Sequence, residues 1–575
     1  MHRLFTVIDD ARLGPKLWAF AVALGAGLAA LWTWSNWIDL SHLQLPDTDD
    51  MARLQQVRDW LGGQGWGDLV QHRLGDGVTG SLHWSRLADL GLAGWTLIAG
   101  ERAAVILWPA TLYILFLAAA ARLALRVAGR EAAGVAIIIA ALAFPAISMF
   151  VPGRVDHHGL QIVLSLWLVD AVLRRASWHS GTLAGLLVAV SLAIGLETAP
   201  QVACAMAVLG LLWVIDGAPE RPRLLTFGAV LGGLTLVWRV VAQSSIWSPT
   251  WCDGFTPASF DATLIAAGLL VILGSLPALD QKFRLILGGA FSLTALALAY
   301  HSSSICLAGP YGATDPLLRR LWMDHIQEAR GLFAGRGPFI PVAFGALPVL
   351  GALAAAWWAW RTKSRDWLIL LGFCALALLV TLFQVRGASM AAAFAVVPLA
   401  ATVAWVRKAR PALTIPVWLA SLGIVWNVAG AAAQPAEATP KQGAGCADWR
   451  TIEQLRALPS GTIVAPIDAG AYILVQTPHR VLAAPYHRNN PGNRAAYDFW
   501  LKPADQARDI AARWHVSYLL HCTDGLGSID LKREGPGGVA DLLARGQRPG
   551  WLQPVPLKDS RARLYRILPP TPSAP

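Results

Sequence analysis

Residues 102–125 read RAAVILWPATLYILFLAAAARLAL and residues 131–150 read EAAGVAIIIAALAFPAISMF, with Arg126-Val127-Ala128-Gly129-Arg130 between them. At a rise of about 1.5 Å per residue, each block as a helix crosses a hydrocarbon core of about 30 Å. A helix apolar on every side has no face to offer water, so lipid or another helix has to cover it. The connection is too short for a domain and carries Arg122, Arg126 and Arg130 around it. Two successive membrane spans, joined at one membrane face, are therefore predicted.

The pattern repeats along the 575 residues. Further apolar blocks stand at 16–37, 159–173, 181–197, 200–216, 224–242, 262–279, 284–300, 339–360, 366–383, 389–406 and 411–432. The expected fold class is a polytopic α-helical membrane protein with about thirteen transmembrane helices. Composition agrees: 55% of residues are hydrophobic and 14% charged, against about 25% charged in soluble chains. The net charge of +11 does not indicate nucleic acid, because the basic residues share no face. They form short clusters between apolar blocks: Arg174/Arg175, Arg221/Arg223, Lys282/Arg284, Arg361/Lys363/Arg365 and Arg407/Lys408/Arg410. Cytoplasmic loops carry such clusters. With Arg3 and Lys16 inside, strict alternation puts every cluster on the cytoplasmic side and the C-terminus outside. The first block lacks a small-residue cleavage site and reads as a retained anchor. A bacterial inner membrane is expected, with a cytoplasmic N-terminus and a periplasmic C-terminal domain.

Four segments then lie outside: 38–101, 243–261, 301–338 and the chain after about 433. Residues 1–432 read as the transmembrane domain. Residues 433–575 read as an extracytoplasmic α/β domain, entered through a linker marked by Pro435, Pro440, Gly443 and Gly445. In it Thr462–Pro466, Tyr472–Val475 and Ser517–His521 are predicted strands and Pro503–Trp514 a helix. Cys204 and Cys374 fall within spans. Cys252, Cys306, Cys446 and Cys522 fall outside, where disulfides 252–306 and 446–522 are expected in an oxidising compartment.

The charges with chemical potential all stand at the outer ends of the helices. Asp47, Asp49 and Asp50 precede a helical stretch; they read either as a cap with acidic first-turn residues or as ligands. Asp156, His157 and His158 occupy a very short loop, with Asp156 and His158 pointing the same way if it is extended. Carboxylate and imidazole suit a divalent metal, and solvated interfacial residues are the other reading. Trp322–Arg330, which includes Asp324, His325 and Glu328, reads as an amphipathic interfacial helix or as part of a site. Arg386 stands between two spans, where it snorkels or grips a phosphate. Carboxylates, a histidine and an arginine on one side of a membrane suggest a divalent cation with an anionic ligand.

This layout resembles the catalytic subunits of oligosaccharyltransferases, which have the C-type glycosyltransferase fold. Asp49 and Arg58 reproduce the family's spacing of a metal-binding Asp and an Arg nine residues on, with Asp47 and Asp50 as neighbours. Asp156-His157-His158 matches the Asp-x-His form of its second motif. The resemblance therefore implies Asp49, Asp156 and His158 as metal ligands, Asp49 or Asp47 as the catalytic carboxylate, and Mg²⁺ or Mn²⁺ as cofactor. Glu328 lies in the loop that carries the family's catalytic Glu, although the residues before it differ. Arg386 is placed as the arginine that binds the lipid-linked phosphate. Pro466-Ile467-Asp468-Ala469-Gly470 stands where the family has Trp-Trp-Asp-Tyr-Gly; Asp468 and Gly470 are retained, while both Trp and the Tyr are absent. Pro485–Asn490, with His487 and Arg488, reads as acceptor site or as surface loop between strands.

The resemblance implies an enzyme that moves a sugar or oligosaccharide from a polyprenyl phosphate or diphosphate to an acceptor (glycan, lipid or protein). The expected partners are that donor, the acceptor and membrane lipids. A metal-independent polymerase or ligase using Arg386, His487 and Arg488 is one alternative. A flippase or transporter is another, but it wants polar groups at mid-membrane, and the spans are almost wholly apolar.

Overall fold

The computed structural model describes residues 12–569 apart from 242–246, 249–250, 303–305, 308, 310, 336, 435–445, 523–525 and 527–528. The linker residues Pro435, Pro440, Gly443 and Gly445 lie outside the described residues. Long apolar helices dominate. Among the described residues nine are long and apolar enough to cross a membrane, or ten if the bent pair Pro411–Ala420 and Gly423–Ala433 is one span. The expected count of thirteen is thus met in part. The predicted spans 159–173 and 181–197 are the shorter helices His158–Val172 and Trp178–Ile194.

The stretch 102–150 shows how a short basic joint works. One helical run covers Glu101–Ala141, but Gly129 breaks it with φ 84° and ψ −177°, a conformation open essentially to glycine alone. Tyr113 Oη donates to the carbonyl of Ala141 at 2.8 Å. In a continuous helix these residues would stand about 42 Å apart, so the two halves fold back on each other. The reversal lets Tyr113, Phe116 and Ile137 share the main apolar core.

The C-terminal part is built on a five-stranded sheet: β1 (Thr462–Val464), β2 (Arg480–Val481), β3 (Val516–Cys522), β4 (Leu552–Val555) and β5 (Ala562–Ile567). The order is β2-β1-β3-β5-β4, with β1 parallel to both β2 and β3 and β5 antiparallel to β3 and β4. The predicted strand at 472–475 is instead part of the helix Ile467–Gln476. Every residue from Ala469 to Gln476 is buried, and an apolar run this short does not separate a buried helix from a buried strand. Helix Ala504–Arg513 stands where one is predicted. Both expected disulfides are present, Cys252–Cys306 and Cys446–Cys522, with Cα–Cα distances of 5.6 and 5.5 Å.

The first long loop is folded into this sheet unit. Met51, Leu54, Val57, Leu74 and Trp84 share one core with Ile463, Tyr472, Ile473, Leu474 and Leu520. Leu74 bridges Val481 in parallel, and Arg73 donates to the carbonyls of Thr477 and His479. Each large apolar side chain removed from water there contributes about 1.5–3 kcal/mol. The helix that carries the acidic cluster is therefore held by the sheet domain as well as by the membrane helices.

Candidate active site

Helix Thr48–Leu61 divides its three acids by position. Asp47 is the N-cap and accepts from the backbone N–H of Asp49 at 3.0 Å, a cap of the kind that stabilises by about 1 kcal/mol. Asp50, buried, points to the second loop, where its Oδ1 accepts from the N–H groups of Val155 (2.8 Å) and Asp156 (3.0 Å). Arg154 Nη1 lies 3.0 Å from both Asp47 Oδ2 and Asp50 Oδ2, which answers how three carboxylates stand together. The side chain of Asp49 takes no part in those contacts and lines a cavity. Its carboxyl is held well above the usual range by burial, then by the charges of Asp47, Asp156 and Glu328.

In the second loop, Asp156 Oδ1 accepts from the backbone N–H of His157 at 2.7 Å and lies 2.5 Å from its Nδ1. Asp156 Oδ2 is buried and has no hydrogen-bond partner among the described residues. His158 Nε2 is 3.4 Å from it. Burial alone would raise the Asp156 carboxyl, but His157, His158 and Arg53 hold it well below its ordinary range. Burial would lower His157 in turn; Asp156 and Glu197 raise it to about 10. Ligand atoms about 2.1 Å from one ion stand roughly 3.0–3.4 Å apart, so the Asp156–His158 separation, with an unused buried oxygen, fits a divalent cation. Asp156, His157 and His158 form one compact group of potential ligands. The extended turn expected here is not found: His157 has φ −72° and ψ −15° and caps the helix that begins at His158, and its ring lies between the carboxylates of Asp156 and Glu197.

Across the cavity, Arg386 lies at the turn between helices Arg365–Phe383 and Gly387–Ala409. Its backbone N–H donates to Glu328 O at 3.0 Å, and that of Val385 to Arg330 O at 2.8 Å. Glu328 is thereby tied to the Arg386 turn; it lies on the second of two short 3₁₀ turns, Met323–His325 and Gln327–Ala329, and not on the amphipathic helix that is one of the two readings of 322–330. Arg386 is hydrogen-bonded to Tyr311, which with Glu328 and Glu197 keeps it above its ordinary range despite burial. Its Nε is buried with no hydrogen-bond partner among the described residues.

These groups line connected spaces. Asp49, His158, Glu197, Tyr311, Glu328, Arg386 and His487 line a cavity of about 500 Å³. A second, of about 310 Å³, shares His158, Glu197, Tyr311, Glu328 and Arg386. A third, of about 300 Å³ and mainly apolar, reaches the second at Leu196 and Cys252 and runs among the helices Ala199–Asp216, Arg221–Val241 and Pro257–Ser275. A polar chamber thus opens onto an apolar track in the membrane region.

Pro485–Asn490 does not form a surface loop. His487, Arg488 and Asn489 are buried because they meet a carboxylate from a membrane loop. Arg488 grips Asp253 with two hydrogen bonds, 2.9 and 2.6 Å, and His487 Nε2 contacts the same carboxylate. Those partners hold Asp253 below the ordinary carboxylate range against the effect of burial. His83, Asp253 and His487 also converge closely enough to ligate a metal. With Arg488 on both oxygens of Asp253, however, a further cation there would meet positive charge, and the cluster reads as a pin beside the Cys252–Cys306 disulfide. Asp468, in the first turn of helix Ile467–Gln476, lines a separate small cavity with Tyr497 and Trp500.

Sequence reasoning missed Glu197, Tyr311, His83 and Asp253. Glu197 carried a signal: it is the only acidic residue between Asp170 and Asp216, and an acid at the end of an apolar block is costly without a role.

No protein-family model matches the chain, and no curated protein sequence matches it. Solved structures do match. The fold is similar to that of the archaeal oligosaccharyltransferase AglB from Archaeoglobus fulgidus in complex with an inhibitory peptide and a dolichol-phosphate, with a TM-score of 0.64 and 13% identity over 94% of this chain and 72% of that one. It is similar to the Archaeoglobus fulgidus oligosaccharyltransferase tethered to an acceptor peptide containing the NVT sequon (TM-score 0.62, 14% identity, 94% and 72% covered). It is similar also to the Archaeoglobus fulgidus enzyme in complex with Zn and sulfate (TM-score 0.59, 15% identity, 88% and 68% covered). This chain therefore has the C-type glycosyltransferase fold in its oligosaccharyltransferase-like form.

Proposed function

We propose that the chain is a metal-dependent membrane glycosyltransferase, which takes a sugar or oligosaccharide from a polyprenyl phosphate or diphosphate and passes it to an acceptor at the extracytoplasmic face, in a bacterial inner membrane. The observation that carries this reading is the meeting of Asp49, His158, Glu328 and Arg386, from four separate loops, around one chamber that adjoins an apolar track, with Asp156 Oδ2 3.4 Å from His158 Nε2. The dolichol-phosphate bound to the archaeal protein of the same fold supports a polyprenyl donor. The Zn and sulfate of another structure support a divalent cation.

Asp156 and His158 would hold the cation, with Asp49 and Glu328 completing the acidic side. A bound Mg²⁺ or Mn²⁺ supplies charge neutralisation at the leaving phosphate. Arg386, oriented by Tyr311, binds a phosphate oxygen through charge-assisted hydrogen bonds. The bond from the sugar's anomeric carbon to the phosphate oxygen breaks, and its electron pair leaves with the phosphate. The acceptor heteroatom bonds to that carbon, and its proton passes to a carboxylate at the Asp49 position. The hydrocarbon tail lies along the apolar track, so the donor enters sideways from the bilayer. In oligosaccharyltransferases the Trp-Trp-Asp-Tyr-Gly stretch recognises the hydroxyl residue of an Asn-x-Ser/Thr acceptor; with both Trp and the Tyr replaced at 466–470, the acceptor is not assigned to such peptides.

Purified protein, given radiolabelled polyprenyl-linked sugar with Mn²⁺ and then with EDTA, tests this. Product that vanishes with EDTA is expected. Product in both conditions favours a metal-independent ligase. Absence of Mn²⁺ binding by calorimetry would sink the metal reading whatever the donor supplied.

A further inference from the structure

Glu197 has no part in the reading above, yet it lines both polar cavities. It sits on the one-turn link Leu196–Thr198 between helices Trp178–Ile194 and Ala199–Asp216. Its Oε2 accepts from Gln161 Nε2 at 3.0 Å, and its Oε1 lies 3.2 Å from His157 Nε2. The other nitrogen of that ring, Nδ1, lies 2.5 Å from Asp156 Oδ1. The chain Gln161–Glu197–His157–Asp156 thus ends on one oxygen of a candidate metal ligand and leaves the other, Oδ2, without a hydrogen-bond partner among the described residues. The side chain of His157 is 1% exposed, so water does not substitute for either carboxylate. The ring is hydrogen-bonded to Asp156 at Nδ1, and at Nε2 it is restrained by its charge pairing with Glu197 at 3.2 Å rather than by a hydrogen bond. Asp156, held at Oδ1, is left with Oδ2 for an ion.

The backbone is shaped to the same end. A Cβ on Gly195 would lie 2.3 Å from Glu197 Oε2 and 3.2 Å from Gln161 Nε2. Since Gly195 has an extended φ of −177°, which any residue adopts, it is glycine for the space its missing side chain leaves to Glu197.

We propose that Glu197, acting through His157, is a positioning residue that fixes which oxygen of Asp156 is offered to the divalent cation. The inference rests on the metal-dependent reading and assigns Glu197 as part of the outer shell of that site. Such outer-shell partners set ligand orientation, and their loss typically weakens metal affinity about 10–100-fold.

The test is calorimetric titration of Mn²⁺ into the full-length protein in detergent, for the unaltered chain, Glu197→Gln, His157→Gln and the double variant, with unfolding midpoints measured alongside. Glu197→Gln is expected to weaken binding about 10–100-fold. In the His157→Gln background the same change is expected to add little, because the link is already cut. A Glu197→Gln that binds Mn²⁺ as the unaltered chain does overturns the proposal. So does a full effect that persists without His157, since Glu197 would then act on the ion directly. If Glu197→Gln does not fold, Gly195→Ala displaces the carboxylate with its charge intact; weaker binding supports the proposal and unchanged binding overturns it. Failure of the unaltered chain to bind Mn²⁺ removes the metal reading itself, and this inference with it, an outcome distinct from failure of Glu197 alone.

Discussion

The carboxylate of Asp50 holds the backbone of Asp156: its Oδ1 takes the Asp156 N–H at 3.0 Å and the Val155 N–H at 2.8 Å. Neighbouring acids in one helix turn therefore have different work, Asp50 as a clamp on the second loop and Asp49 as a chamber residue. Asp50→Ala should lower the unfolding midpoint and weaken Mn²⁺ binding together, since it strips two buried amides of their acceptor and deprives half-buried Arg154 of one of its two carboxylates. The cost is about 3–5 kcal/mol. Asp49→Asn should abolish transfer with the midpoint unchanged. Scanning fluorimetry beside the transfer assay separates the two, and matching behaviour of both variants would refute the division.

Arg386 is expected to resist conservative replacement. A guanidinium offers a planar fork to phosphate and Tyr311 at once, whereas an ammonium acts as a point charge. Arg386→Ala should lower kcat/KM for the polyprenyl donor by about 10–100-fold, the loss of about 1.5–3 kcal/mol from a charge-assisted contact. Arg386→Lys should recover only part of it. Steady-state kinetics with saturating acceptor reads this, and full activity of the lysine variant would remove the phosphate role.

His83 makes stability depend on pH with a definite sign. Burial, and then the charge of His487, lower its pKa to about 3, against about 6.5 in an unfolded chain. Between those values the unfolded state binds the extra proton, so stability falls as the pH drops from about 6.5 towards 3. Asp253 adds a loss in the same direction, confined to stronger acid, because its lowered carboxyl contributes above its unfolded pKa of about 3.8 and fails as the pH falls through the folded value. The unfolding midpoint should therefore decline from pH 6.5 to 4.5, and His83→Gln should flatten that decline. An equally steep decline in the variant would assign it to other groups.

The Cys252–Cys306 bond closes a separation of 54 residues beside the passage from the polar chamber to the apolar track. A Cys252→Ser/Cys306→Ser variant should be less stable by about 2–4 kcal/mol, with a raised donor KM. Denaturant unfolding and donor titration check the two effects, and an unchanged KM would confine the disulfide to stability.

Patterns set by solvent were legible in the sequence, and patterns set by distant contacts were not. Each predicted apolar block lies on a helix because a bilayer permits little else. The alternation of basic clusters located Asp49, Asp156, His158 and Arg386 at one end; in the structure Asp49, His158 and Arg386 line one chamber, with Asp156 beside His158. The count of spans was less secure, since His158–Val172 and Trp178–Ile194 are too short to qualify by length alone. The helix at 467–476 was misread as a strand in part because partners such as Met51 and Leu54 lie some four hundred residues away. His487 and Arg488 looked like surface residues for the same reason: Asp253, the acid that buries them, gives no local sign of its destination.

The shared core of the first loop and the C-terminal sheet also sets the order in which the protein comes to life. Tyr472 Oη donates to the carbonyl of Leu45, 427 residues earlier, and Tyr486 Oη donates to the carbonyl of Thr48. At about 5–20 residues per second, the helix bearing Asp49 waits roughly 20–90 s after emergence for the segment that fixes it. A ribosome that stalls before residue 472 leaves a membrane-inserted chain whose acids have no set arrangement. Competence arrives as one late event rather than growing span by span.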